Sequence, residues 1–114
     1  SYHPISDFRQ IIIKKGYLTP SETDDVKIGK YSVVGLVSRM KVIKTKTGKE
    51  MCFAEIEDQL SSIEIVLFSD IWERVKSYLS KGKVYLFEGN IEIRNERKQL
   101  IIDSISTVEG DKNE

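Results

Sequence analysis

The sequence predicts a mainly β domain in which five strands close into a small barrel, with one helix between the third and fourth strands. Two observations carry this prediction. Apolar and polar residues alternate through residues 51–57 and 63–68, and turn-forming residues interrupt the alternation at 46–48 and 58–62. A sheet with one apolar face must cover that face, and five strands do so most economically by closing on themselves.

Two helical segments are predicted before the barrel. Ile5, Phe8 and Ile12 repeat at helical spacing within residues 4–15, and a glycine follows that segment. Residues 19–22 have the pattern of a capping box with proline at the first helical position, so a short helical turn is expected there.

The first three strands form the centre of the predicted barrel. The first spans residues 31–44 and contains Gly35, which is expected to form a bulge or bend that lets one strand serve both sides of the barrel. Alternate residues of the second strand are expected to face inward and outward. The inward residues are Cys52, Ala54 and Ile56, and the outward residues are Met51, Phe53, Glu55 and Glu57.

After the third strand, the spacing of the apolar residues changes from that of a strand to that of a helix. Asp70 is expected to cap the helix, with Glu73 three residues later, and Gly82 is expected to end it. One side of this helix is apolar and would plug an end of the barrel. That side is formed by Ile71, Trp72, Val75, Tyr78 and Leu79.

The last two strands are predicted at residues 83–94, with a bend at Gly89, and at residues 98–108. This arrangement is that of the OB fold, in which two loops flank a face that can hold a strand of nucleic acid. The chain is accordingly divided into an N-terminal helical extension at 1–29, an OB-fold domain at 30–108 and a polar tail at 109–114.

The charge balance limits the partners. The chain has 18 basic and 18 acidic residues and a formal net charge of zero, so it has no global attraction for phosphate. The single cysteine excludes an internal disulfide and favours a reducing, cytoplasmic compartment. No apolar run approaches the roughly 20 residues of a membrane span. The chain opens on a motif without an initiator methionine, which is expected of a piece of a longer protein.

No catalytic site is predicted. Nucleophilic catalysis needs a histidine near the nucleophile, and the only histidine is His3, far in sequence from Cys52. Glu55, Glu57 and Asp58 are close enough in sequence to suggest magnesium ligands. An exposed strand face for the two glutamates and a turn for Asp58 explain them better. We therefore expect no catalytic residue, no metal site and no cofactor.

A nucleic-acid groove is the favoured site, because cations cluster at two predicted hairpins with an outward aromatic between them. The candidate residues are Arg39, Lys41, Lys44, Lys46 and Lys49 at the first hairpin, Arg94, Arg97 and Lys98 at the second, and Phe53 beside Met51. Two alternatives stay open: the hairpin tips are merely solvated, or the N-terminal helix covers Phe53. The glutamates on the same face would repel phosphate.

The order and spacing of several segments resemble the DNA polymerase III alpha subunit family. Residues 1–5, Ser-Tyr-His-Pro-Ile, are similar to the family's T-G-H-P-[IL] segment, which precedes an OB domain. Further matching segments lie at 34–37, 45–48, 51–53, 57–58, 63–68, 82–84 and 88–89.

The resemblance implies an OB domain of the tRNA-anticodon type, with Phe53 at the position of a base-stacking aromatic and Glu64 where synthetases of that type carry glutamine. It implies a non-catalytic module of a replicative DNA polymerase that lies near the single-stranded template. Polymerase and clamp-binding segments would then lie outside this chain.

The predicted function is weak, sequence-independent binding of single-stranded DNA within such a polymerase, by a domain that is monomeric in isolation and meets no membrane. One alternative is a docking module that contacts other polymerase domains or replisome subunits. Another is a free-standing anticodon-type RNA-binding domain.

Overall fold

The computed structural model describes residues 2–108, and it confirms the mainly β, five-stranded barrel. Its strands are β1 (Gly29–Lys44), β2 (Glu50–Glu57), β3 (Ser62–Leu67), β4 (Val84–Arg94) and β5 (Arg97–Ser106). Its helices are α1 (Arg9–Lys15), α2 (Ser69–Val75) and two 3-10 helices at Pro4–Phe8 and Pro20–Asp25. The tail predicted at 109–114 lies outside the described residues.

The barrel closes in the order β1-β2-β3-β5-β4, with β4 pairing back onto β1. Only the β3–β5 pair is parallel; the other neighbours within residues 2–108 are antiparallel. Cys52, Ala54 and Ile56 face the core as the alternation predicts. The helix between β3 and β4 closes the core with Trp72 and Val75, so its predicted position is confirmed.

The details of α2 differ from the prediction. The helix begins after Phe68 with no side-chain cap, so Asp70 lies in the first turn instead of capping it. The helix ends at Val75, well before Gly82. Tyr78 is 45% exposed instead of belonging to the buried side of the helix, and its hydroxyl donates a hydrogen bond to the Ile105 carbonyl at 3.1 Å.

Glycine allows close backbone contact at Gly89. The β4–β5 register shifts between Glu88 and Gly89, so the predicted bend is a bulge there. A Cβ at Gly89 would lie 2.0 Å from the Ile101 carbonyl oxygen. The bulge in β1 falls between Val37 and Arg39 instead of at Gly35.

The N-terminal extension packs on the outside of the barrel. The helix predicted at 4–15 is divided into a 3-10 helix and α1, because Phe8 has non-helical backbone angles. A second apolar cluster joins Ile5 and Ile12 to Val34 of β1, and Val84 of β4 packs against it. Phe53 is not among the residues of this cluster. Within residues 2–108, no helix is long and apolar enough to cross a membrane.

The Gly89→Ala substitution should lower the free energy of unfolding by more than about 2 kcal/mol, because the added methyl group would overlap backbone. Gly16→Ala is the matched control. Gly16 has open space around it and a φ of 71°, so only backbone strain of about 1 kcal/mol is expected. Urea unfolding measures both variants, and equal losses would contradict the close contact.

Candidate functional site

A groove runs over the outer face of β2 and β3. One end is a cavity of about 190 Å³ lined by Arg39, Met40, Lys41, Phe53, Ala54, Glu55 and Glu64. The other end is a cavity of about 570 Å³ lined by Thr23, Asp24, Glu55, 62–64 and 93–99. Because Glu55 and Glu64 line both cavities, the two ends form one continuous surface, which we call the groove.

Phe53 provides an aromatic surface at the narrow end of the groove. It is half-buried on the outer face of β2, where it lies opposite Lys41 of β1 and Val66 of β3. Met51 lies on the same strand, but its side chain is only 9% exposed. Met51 therefore offers little surface to a ligand, contrary to its expected outward exposure.

The cations of the first hairpin divide into two sets. Arg39 and Lys41 line the groove beside Phe53, and an Arg39 Nη1 lies 3.9 Å from Glu55 Oε2. The others lie further along the hairpin and line neither end of the groove. They are Lys44 at the end of β1, with Lys46 and Lys49 at the β1–β2 turn, all exposed.

The second hairpin holds two arginines at the wide end of the groove. Arg94 and Arg97 lie opposite each other across β4 and β5, and both are exposed. The two residues of the turn, Asn95 and Glu96, have φ values of 53° and 64°, the left-handed geometry that a tight two-residue hairpin requires. Within residues 2–108 neither arginine forms an ion pair.

Lys98 has a structural role that corrects its prediction as a phosphate contact. Its Nζ donates hydrogen bonds to the carbonyls of Thr23 and Asp24, each at 3.0 Å, and to the carbonyl of Val26. An ammonium group has three donors, and all three are used. Lys98 therefore caps the C-terminal end of the Pro20–Asp25 helix and fixes this helix as a wall of the groove.

The floor of the groove is acidic. Glu55 and Glu64 are directly opposite each other in the β2–β3 register, which brings two like charges together. The side chain of Gln99 is buried and donates a hydrogen bond from Nε2 to Glu64 Oε1. The groove therefore has cations on its walls and carboxylates on its floor.

The end of β2 anchors the N-terminal extension. His3 Nδ1 accepts a hydrogen bond from the Ile5 backbone N–H at 3.1 Å, so its Nε2 carries the proton that is donated to Glu57 at 3.1 Å. The neighbouring Asp58 accepts a hydrogen bond from the Ser21 backbone N–H at 2.8 Å. Neither anchor was predicted, because each joins residues that are far apart in sequence.

Asp58 is held in its charged form. Burial opposes ionisation, but hydrogen bonds from Ser21, Leu60 and Ser61 outweigh it and lower the pKa of Asp58 below its ordinary value. Two of the carboxylates considered as metal ligands, Glu57 and Asp58, therefore have partners within the protein, which are His3 and the Ser21 backbone N–H. No group of three or more potential metal ligands occurs in the part of the chain that the structure describes.

Cys52 is a fully buried residue of β2. It lies in the barrel core, and this burial raises the pKa of its thiol, although a backbone hydrogen bond from Lys41 acts in the opposite direction. A protonated, buried thiol is a poor nucleophile.

Comparison with protein families gives one match that covers most of the chain. The model of a family described as an OB-fold nucleic acid binding domain, of the tRNA anti-codon type, matches residues 31–108. The matched segment of this chain therefore contains all the residues that line the groove except Thr23 and Asp24.

Curated relatives include alpha subunits of DNA polymerase III. The Treponema pallidum subunit is 27% identical over 110 residues, which are 96% of this chain and 9% of that relative. The Bacillus subtilis subunit is 28% identical over 109 residues, 96% of this chain and 10% of the relative. The chain thus spans about a tenth of the length of these relatives.

Among solved structures, a mitochondrial single-stranded DNA binding protein from S. cerevisiae has a TM-score of 0.57 to this chain at 14% identity. The match covers 75% of this chain and 98% of that protein. At this identity the likeness shows a shared fold.

Replacing Asp58 by Asn should destabilise the domain by about 1–3 kcal/mol at neutral pH, because an amide N–H₂ would face the Ser21 N–H. Because folding lowers the pKa of Asp58, its charged carboxylate stabilises the folded state at pH values above its ordinary pKa of 3.8. This stabilisation is lost as the pH falls through the pKa of the folded state. The difference between wild type and variant should therefore shrink when urea unfolding is repeated at about pH 2.5. An unchanged difference would contradict the role of the charge, and Asp103→Asn on the surface is the control.

Replacing Lys98 by Met keeps the apolar stem and removes the three hydrogen bonds to carbonyls. We expect a loss of about 1–3 kcal/mol in the free energy of unfolding and faster proteolysis near residues 23–26. Arg97→Met, on the same hairpin but without an ion pair in the described chain, should change stability by less than about 0.5 kcal/mol. Equal effects of the two substitutions would refute the capping role.

Proposed function

Because the chain belongs to the family of OB-fold nucleic acid binding domains of the tRNA anti-codon type, we propose that it binds single-stranded DNA in the groove. The observation that carries the proposal is the position of Phe53 in the groove. Phe53 lies beside Arg39 and Lys41 at the narrow end, and a pair of arginines lies at the wide end. An aromatic platform between cationic walls is the arrangement that binds single strands, since bases stack and phosphates pair with cations.

The roles of the side chains follow from their places in the groove. Phe53 stacks on one base, Arg39 and Lys41 contact the phosphates on one side of it, and Arg94 and Arg97 contact those on the other. Lys44, Lys46 and Lys49 meet phosphates only where the strand continues along the β1–β2 hairpin.

The binding is weak and gains no sequence specificity from these contacts. Stacking accepts any base, and phosphates are common to all sequences. The net charge of zero and the carboxylates of the floor reduce the attraction for phosphate. A dissociation constant of about 10⁻⁴ M or weaker is therefore expected near physiological salt.

The similarity to DNA polymerase III alpha subunits supports a place for this domain within a replicative DNA polymerase. In this proposal the domain is non-catalytic, needs no cofactor, and contributes to holding the template while other parts of a DNA-directed DNA polymerase perform nucleotidyl transfer. We also propose a cytoplasmic location and a monomeric state for the isolated domain.

Docking onto another polymerase domain or a replisome subunit is the second candidate function. It is favoured by a cavity of about 570 Å³ between α1 and the β2–β3 turn, which is separate from the groove. The apolar side chains of Ile13 and Leu60 line this cavity and are 73% and 85% exposed. Exposed apolar side chains around a concavity are typical of protein contact sites.

Fluorescence anisotropy with labelled oligo-dT at low and moderate salt tests the first function. Phe53→Ala should cost about 1–3 kcal/mol of binding free energy through lost stacking. Lys41→Glu and Arg94→Glu should weaken binding and flatten its salt dependence, because each removes a phosphate contact. Lys81→Glu makes the same charge change at an exposed residue outside the groove and should have a much smaller effect.

The absence of binding even at low salt would refute single-strand binding by the isolated domain and favour docking. Tighter binding to oligo-U than to oligo-dT would instead favour an RNA-binding domain, since a reader of the 2′-hydroxyl prefers RNA.

A further inference from the structure

The acidic floor of the groove is unexpected in a surface that contacts phosphates. Glu55 and Glu64 lie directly opposite each other between the two cationic walls, and both line the narrow and the wide ends. Like charges opposite each other reduce the stability of a sheet, and they also repel the nucleic-acid backbone. These carboxylates are therefore suited to a different part of a bound strand.

One oxygen of each carboxylate has a protein partner, by a hydrogen bond for Glu64 and by a longer ion pair for Glu55. Gln99, which is 8% exposed, donates to Glu64 Oε1, while Arg39 Nη1 lies 3.9 Å from Glu55 Oε2. No hydrogen bond to Glu64 Oε2 or Glu55 Oε1 from another side chain is found within residues 2–108. An ionised carboxylate only accepts hydrogen bonds, so a ligand must offer donors to these oxygens.

The aromatic platform lies beside these acceptors. Phe53 and Glu55 are two residues apart on the same face of β2. Phe53 is opposite Val66, so Glu64, two residues from Val66, is its diagonal neighbour on β3. Diagonal neighbours on one face of a sheet are about 7–8 Å apart, which is within reach of an aromatic base stacked on Phe53. The edge of that base would therefore face the two carboxylates.

We propose that Glu55 and Glu64 select among bases stacked on Phe53 by accepting hydrogen bonds from their donor groups, so that the groove prefers guanine to thymine. Guanine offers two adjacent donors, N1–H and the N2 amino group, which match the one available oxygen on each of the two carboxylates. Cytosine and adenine offer one amino group each. Thymine has no amino group, and its N3–H lies between two carbonyl oxygens that the carboxylates repel.

This selectivity rests on the proposed single-strand binding. It adds a modest base preference to the stacking and phosphate contacts, which have no base preference of their own. Carboxylates also accept hydrogen bonds from bases in double-stranded DNA. There, a well-made side chain–base pair favours the correct base over a wrong one by about fivefold to a hundredfold in affinity. The groove is open to solvent, so we expect the lower part of this range.

Binding of oligonucleotides of about twelve nucleotides tests the proposal. An oligo-dT with two central guanines should bind the wild-type domain about fivefold to tenfold more tightly than oligo-dT itself. The same oligonucleotide with inosine in place of guanine lacks only the N2 amino group and should bind with intermediate affinity. The salt dependence should be the same for all three, because the phosphate contacts do not change.

Two isosteric variants assign the preference to the carboxylates. Glu64→Gln and Glu55→Gln should each reduce the preference for guanine by at least half. Each should also tighten binding of oligo-dT, because a negative charge near the phosphates is removed. Glu73→Gln, at an exposed residue of α2 outside the groove, makes the same change as a control. Thermal unfolding verifies that all three variants are folded.

The outcomes distinguish this inference from the proposed function. Equal affinity for the three oligonucleotides would overturn the base preference and leave single-strand binding intact. A preference that survives in both glutamine variants would overturn its assignment to Glu55 and Glu64. No binding of any oligonucleotide at low salt would overturn the proposed function and the inference together.

Discussion

The register of β2 is the constraint on which the groove depends. Side chains alternate across a strand, so burying Cys52, Ala54 and Ile56 in the barrel forces Phe53 and Glu55 to face outward. A slip of one residue would bury the aromatic ring and expose the core. The anchors at the end of the strand oppose such a slip, because Asp58 and the glutamate before it bond to fixed atoms of the N-terminal extension.

The extension is consequently part of the folded unit, although the family match begins after it. It contributes an apolar face that packs on β1, a backbone bridge from Leu18 to Val33, and the groove wall that Lys98 holds. Its polar side-chain contacts are with the end of β2 and with Lys98 of β5, while its apolar cluster packs on β1 and β4 and does not include Phe53. This division leaves the groove open and keeps the extension attached.

Local patterns in the sequence were sufficient for the architecture. Alternation predicted β2 and β3, turn-forming residues predicted the two hairpins, and the bend predicted at Gly89 is a bulge in the structure. The same patterns could not predict contacts across the fold. The sequence shows Lys98 as one more cation of a basic hairpin, because the carbonyls that it caps are more than 70 residues away. Met51 looked exposed for the same reason, since alternation gives the face of a strand but not what covers that face.

The three hydrogen bonds of Lys98 also affect how the second hairpin behaves when it meets a ligand. Lys98 directly follows Arg97, so the backbone that carries this arginine is tied to the end of a helix. The hairpin loses its conformational freedom when the domain folds, and little is left to lose when a strand arrives. The hairpin surface therefore has a well-defined shape before any ligand arrives, and selectivity at such a surface depends on chemistry instead of on the cost of ordering a loop.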